Sequence, residues 1–135
     1  MIVLDTSILS HVYRRAAQAP GPVRAVAVFV RLLEDDEPMA VPSIVLQEVL
    51  SGVKTAAAFA RLDDVLSGFP LLLPTREIHV RAARLRSQCR VHGIAAATVD
   101  CLIAAHTLVV GGQLFTVDED FAWIAKHSDL ELLSI

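Results

Sequence analysis

Met1-Ile2-Val3-Leu4-Asp5 opens the chain as an unbroken apolar run that ends on an acid. Four consecutive apolar residues suit a strand covered on both faces, the pattern of a parallel sheet rather than of half-solvated antiparallel pairs. Leu114-Phe115-Thr116-Val117-Asp118 repeats the plan near the other end: a short strand, then an acid. Leu71-Leu72-Leu73 and Leu130 to Ile135 are further strand candidates. Parallel strands need crossovers, and the segments between these runs carry helical spacing.

A first short helix follows Asp5 and stops before Ala19-Pro20-Gly21-Pro22. Val26, Val30 and Leu33 define the next helix, which gives way to a solvated loop at Glu34-Asp35-Asp36-Glu37, because four acids oppose a helix C-terminus. Val41-Pro42-Ser43 predicts a helix start with Ser43 as its cap and Gly52 near its end. Leu62, Val65, Leu66 and Phe69 form another helical face. Thr75 caps a helix with the stripe Ile78, Ala82, Leu85 and Cys89, closed by His92-Gly93. Thr98 is the expected cap of a helix from Val99 to Val110, apolar nearly all round and therefore central, and Gly111-Gly112 ends it. A short helix is expected from Asp118, with Phe121 and Trp123 in the core. Short apolar strands alternating with helices predict a three-layer α/β/α domain with a central, mainly parallel sheet, spanning 1–135 as one unit.

Composition excludes other classes. At 54% apolar and 20% charged over 135 residues, the chain is neither a disordered tail nor a disulfide-stapled module. The richest apolar stretch, Val23 to Leu33, contains Arg24 and Arg31, and nowhere do ~18 apolar residues run uninterrupted, as a membrane span needs. Asp5 interrupts the start where a leader would be apolar, which predicts a cytoplasmic protein. Cys89 and Cys101 lack C-x-x-C spacing and are read as small core residues. The histidines show no H-E-x-x-H pattern, and G-x-S-x-G is absent.

Four of the 15 acids stand in apolar company: Asp5, Glu48, Asp100 and Asp118. Isolated carboxylates are costly to bury unless paired or metal-bound. Each has a bland reading: Asp5 and Asp118 as helix caps, Asp100 as a first-turn acid, Glu48 as partner of a distant arginine. Jointly they favour a metal site. Asp5 and Asp118 fall at the carboxyl ends of expected strands, the edge where open α/β sheets bind ligands. Clustered carboxylates call for a hard divalent cation, and Mg²⁺ and Mn²⁺ prefer oxygen ligands.

These residues, in this order and spacing, resemble the PIN domain and, within it, the VapC-type toxins of bacterial toxin–antitoxin pairs. Met1-Ile2-Val3-Leu4-Asp5-Thr6-Ser7 is similar to the family's opening motif, Pro42-Ser43-Ile44-Val45-Leu46-Gln47-Glu48 to its second, Val99-Asp100-Cys101-Leu102-Ile103-Ala104-Ala105 to its third, and Thr116-Val117-Asp118-Glu119-Asp120-Phe121 to its fourth. The resemblance implies an Mg²⁺- or Mn²⁺-dependent endoribonuclease. It implies that Asp5 and Asp100 are the most direct ligands, that Glu48 and Asp118 complete the cluster, and that Asp120 matches a frequent fifth acid. Thr6, Ser7 and Thr116 would hydrogen-bond to the carboxylates or to phosphate. The chain departs from many members at Val45, where they carry Thr, and at Thr98, where they carry Asp. A VapB-type antitoxin and a homodimer are the implied protein partners, with Ile8 to Tyr13 and Val26 to Leu33 as candidate contact surfaces.

Net charge is −3, so the whole molecule does not steer toward nucleic acid. Arg76, Arg81, Arg84, Arg86 and Arg90 nevertheless fall in one segment. A solvated helix face is one reading. RNA contact through Arg81, Arg84 or Arg86 is the other. A haloacid-dehalogenase-type phosphatase would need an acid at Ser7, and a receiver domain a late strand-end lysine, where Lys126 sits in a helix pattern. A housekeeping nuclease and a non-catalytic interaction module are the remaining alternatives.

Overall fold

The computed structural model describes residues 1–14 and 19–135. Its centre is a four-stranded, all-parallel sheet in the order β3-β2-β1-β4, flanked by helices. The strands are β1 (Ile2–Leu4), β2 (Met39–Pro42), β3 (Leu71–Leu72) and β4 (Gln113–Phe115). β1 and β2 are buried at every residue, as strands covered on both faces must be. In register, Val3 stands beside Ala40 on one side and Leu114 on the other, and Val41 beside Leu71.

Helices α1 (Thr6–Leu9) and α2 (Pro20–Glu34) lie between β1 and β2, with a π-helical turn (Ser10–Arg14) extending α1. Helices α3 (Ser43–Ser51) and α4 (Ala56–Leu66) join β2 to β3. Helices α5 (Arg76–Val91) and α6 (Thr98–Val110) carry the chain from β3 at one edge to β4 at the other. Helix α7 (Asp120–Lys126) follows β4. The first two crossovers extend the sheet one way from β1, and the last returns to its opposite side. The strand order therefore reverses at β1 and β4, which opens a crevice beyond their carboxyl ends.

The core runs through both sides of the sheet, with Leu4, Leu9, Phe29, Phe115 and Phe121 among its fully buried side chains. Helix α6 is central as expected, with Cys101 and Ile103 to Thr107 buried, and both thiols are buried. Gly111 takes φ 67° to cap α6, a left-handed conformation that favours glycine. A Cβ on Gly112 would stand 2.7 Å from the Met1 carbonyl oxygen, so only glycine lets β4 start against β1.

The structure corrects several local expectations. Met39–Pro42 is a strand, whereas the sequence reading took Val41-Pro42 as a lead into a helix. Its apolar run is only three residues long before Pro42 ends it, too short to show a period. Ser43 and Thr98 already lie inside α3 and α6; the cap positions belong to Pro42 and Ala97, in extended backbone and without side-chain hydrogen bonds. Thr75 does cap α5, accepting from the Ile78 N–H. Helix α2 buries Ala25 and Phe29 and turns Val30 and Leu33 outward, because its apolar residues occupy more than one face. Ile8 is core rather than contact surface. Strand β4 stops at Phe115, and α7 starts at Asp120 rather than Asp118. The expected last strand at Leu130 to Ile135 reduces to one parallel bridge, Leu114 to Leu132. Phe121 is buried, but Trp123 is 52% exposed with the Lys126 ammonium 4.8 Å from its ring.

Candidate metal centre at the carboxyl edge of the sheet

Asp5 leaves β1 and serves as the N-cap of α1, accepting from the Ser7 N–H. It is almost fully buried. Two hydroxyls complete its cradle: Ser7 Oγ donates to Asp5 Oδ2 at 2.8 Å and Thr116 Oγ1 donates to the same oxygen at 2.7 Å. The capping and metal-cluster readings of Asp5 are therefore compatible. Burial raises its carboxyl above the ordinary range, and the hydrogen bonds from Thr116 and Ser7 pull in the opposite direction.

The strand β4 side is built by a chain of short-range bonds. The Asp5 N–H donates to the Phe115 carbonyl, which fixes the level of the two strand ends. Just past Phe115, Thr116 Oγ1 accepts from the Asp118 N–H at 3.0 Å, and Asp118 Oδ1 accepts from the Asp120 N–H at 3.0 Å. This turn folds Asp120 back beside Asp118. Carboxylate oxygens of Asp100, Asp118 and Asp120 lie within 4.8 Å of one another. Asp100 enters from the first turn of α6. Glu48 comes from α3, where Thr6 Oγ1 donates to its Oε1 at 2.8 Å.

The tight oxygen group is thus Asp100, Asp118 and Asp120. Asp5 and Glu48 stand outside that group but close enough to be felt. Asp100 is pushed up to about 6, first by burial and then by the charges of Asp118, Asp5, Asp120 and Glu48. All five acids therefore share one electrostatic field. Asp5 is buried and Asp100 half-buried, while Glu48, Asp118 and Asp120 are exposed, so the apolar sequence surroundings of these three did not signal burial. An all-carboxylate donor set fits a hard divalent cation, which would relieve the mutual repulsion that adds to burial in lifting Asp100.

The arginines separate. Arg86 donates from Nε to the Ala96 carbonyl at 3.0 Å and lines a hollow with Thr98 and Val99, the two residues before Asp100. Arg81 and Arg84 line other hollows, one of them shared with Ala105 and Asp129. One well-placed cation escaped the sequence reading: Arg14, whose guanidinium donates to Ser10 Oγ and to the Gly52 carbonyl at 3.2 Å. A Cβ on residue 52 would collide with that guanidinium, so Gly52 makes room for Arg14.

Comparison with known proteins agrees with the geometry. The PIN domain family model matches residues 2–127. Ribonuclease VapC11 of Mycobacterium tuberculosis is 31% identical over 136 aligned residues, covering 99% of this chain and 98% of that one. The solved VapBC2 structure from Rickettsia felis, bound to a DNA fragment from its promoter, superimposes with a TM-score of 0.78 at 22% identity over 98% of both chains. A toxin–antitoxin complex from Klebsiella pneumoniae superimposes with a TM-score of 0.69 at 24% identity over 90% of this chain and 91% of that one. With the sheet order, the acidic crevice and a match over nearly its whole length, the chain belongs to the PIN domain family.

Proposed function

We propose that residues 1–135 form one PIN-like domain that acts in the cytoplasm as the endoribonuclease toxin of a VapBC-type pair. The observation that carries this reading is the convergence of five acids at the β1/β4 crevice, where burial first and then the neighbouring charges lift Asp100 to about 6. The VapC ribonuclease relatives and the toxin–antitoxin neighbours support the same assignment. Among the described residues no helix is long and apolar enough to cross a membrane, which is compatible with that location.

Asp100, Asp118 and Asp120 would hold Mg²⁺ or Mn²⁺, with Asp5 and Glu48 completing the negative field. When bound, such a cation supplies an activated water and stabilises charge on a scissile phosphodiester. The protein's own part is positioning. Ser7 and Thr116 fix the Asp5 carboxylate, Thr6 holds Glu48, and the Asp118–Asp120 turn keeps two acids at one distance. Arg86, which lines a hollow with Thr98 and Val99, would receive substrate phosphate, with Arg81 and Arg84 as secondary candidates. A VapB-type antitoxin would cover this crevice, and a homodimer would use outward apolar residues such as Val30 and Leu33.

The test is RNA cleavage by purified protein with Mg²⁺ or Mn²⁺. Asp5→Asn and Asp100→Asn should each abolish cleavage with the fold retained by circular dichroism. Full activity in either variant overturns the assignment. Arrested growth on expression, relieved by the co-expressed neighbouring gene, separates a toxin from a housekeeping nuclease.

A further inference from the structure

A cavity of about 540 Å³ is walled by the π-helical turn, the α3–α4 connection and α4, with none of the five acids in its lining. Its walls include Tyr13, Arg14, Lys54, Arg61, Leu62 and Val65. Three of these are cations on a molecule of net charge −3, and all three are exposed at the rim. Arg14 is held in place by Ser10 and by the Gly52 carbonyl at the C-terminus of α3. Tyr13 is fixed edge-on against Phe29 at 6.0 Å between ring centres, so it forms a rigid aromatic wall.

Two elements tie this cavity to the crevice. Thr6, which holds Glu48, lies eight residues before Arg14 along α1 and its π-helical extension, a backbone rise of roughly 12 Å. Glu48 lies four residues before Gly52 on the same helix end, roughly 6 Å. At roughly 3.4 Å per stacked nucleotide, such distances are covered by two to four nucleotides. A strand of RNA threaded past five carboxylates is repelled along its phosphates, and cations a few nucleotides away are what would anchor it.

We propose that the Arg14–Lys54–Arg61 cavity is a subsite for the sugar–phosphate backbone of single-stranded RNA, two to four nucleotides from the acidic cluster. This rests on the ribonuclease reading above. The basic, aromatic-walled cavity matches how single strands are bound without base readout: cations on phosphates and a ring for stacking.

The test measures binding of a fluorescein-labelled ten-nucleotide RNA by anisotropy, in EDTA, over a range of salt concentrations. Because neither metal nor turnover is involved, absent cleavage would count against the proposed function and leave this measurement standing. The proposal expects Lys54→Ala/Arg61→Ala to weaken binding about tenfold and to flatten the log–log salt slope by about 1.4, the change for two lost phosphate contacts on a single strand. Lys54→Glu/Arg61→Glu should weaken it further, and Arg24→Ala, an exposed cation of α2 outside the cavity wall, should leave it unchanged. Equal affinity and slope in wild type and the double variants would overturn the proposal, as would an equal loss in Arg24→Ala. So would a polyglutamate peptide whose binding falls in the double variants while RNA affinity holds, an outcome that assigns the cavity to an acidic protein segment.

Discussion

Asp100→Asn should stabilise the metal-free protein while removing one carboxylate from the cluster. The Asp100 carboxyl, ordinarily at 3.8, is pushed up to about 6 by burial and by the charges of Asp118, Asp5, Asp120 and Glu48. An acid whose pKa is higher in the folded chain than in the unfolded one favours folding when protonated. Its unfavourable contribution is therefore absent below about pH 4, grows as pH rises toward 6, and is fully present above that. The gap between 3.8 and about 6 corresponds to roughly 3 kcal/mol. Solvent screening at this half-buried site and the favourable helix N-terminus reduce the net to about 1–2 kcal/mol. Asparagine keeps the shape and removes the charge. In EDTA at pH 7 and low salt, thermal unfolding of Asp100→Asn should lie about 3–8 °C above wild type. The difference should shrink at pH 5 and vanish at pH 4. Added Mn²⁺ should raise wild type selectively, by about 2.7 kcal/mol at a hundred times its dissociation constant, and reverse the order. A variant that melts at or below wild type in EDTA at pH 7 would refute the claim that the cluster strains Asp100.

Three further outcomes are expected. Thr116→Val removes a 2.7 Å bond to Asp5 and the acceptor of the Asp118 N–H; urea unfolding should show a loss of about 1–3 kcal/mol, and NMR titration should find the Asp5 carboxyl higher still, because a bond that lowers it is gone. Asp120→Asn should weaken Mn²⁺ binding on the order of tenfold in calorimetric titration, whereas Glu119→Gln, outside the three-acid group, should leave it unchanged. Gly112→Ala places a Cβ 2.7 Å from the Met1 carbonyl oxygen and should cost about 1–3 kcal/mol in the same unfolding assay; an unchanged midpoint would show that β1 and β4 can separate freely.

What the sequence made legible follows from how each feature is encoded. Strand β1 is visible because burial on both faces leaves four apolar residues in a row, and α6 because it is apolar all round. Strand β2 is invisible because its identity comes from its place between β1 and β3, and three apolar residues before a proline carry no period. Helix α2 misleads because Val26, Val30 and Leu33 keep helical spacing as well as Ala25 and Phe29 do, and only the sheet decides which face turns inward. In the site, Asp5 stands out as an acid closing an apolar strand. The closeness of Asp120 to Asp118 depends on a turn two residues long, held by a backbone N–H that no residue pattern announces. Arg14 is hidden for a similar reason: its position depends on the missing side chain of Gly52, 38 residues away.

The bond from Thr116 to Asp5 joins residues 111 positions apart. Its consequence concerns biosynthesis. A growing chain has made Asp5 and Glu48 early, yet the carboxylate of Asp5 lacks one of its two hydroxyl partners until β4 has emerged, and two of the three clustered oxygens arrive with Asp118 and Asp120. The acid cluster therefore cannot be complete on any nascent fragment that ends before Asp120. A cluster assembled from the first strand and from residues beyond the last comes into being only after residue 120 has emerged.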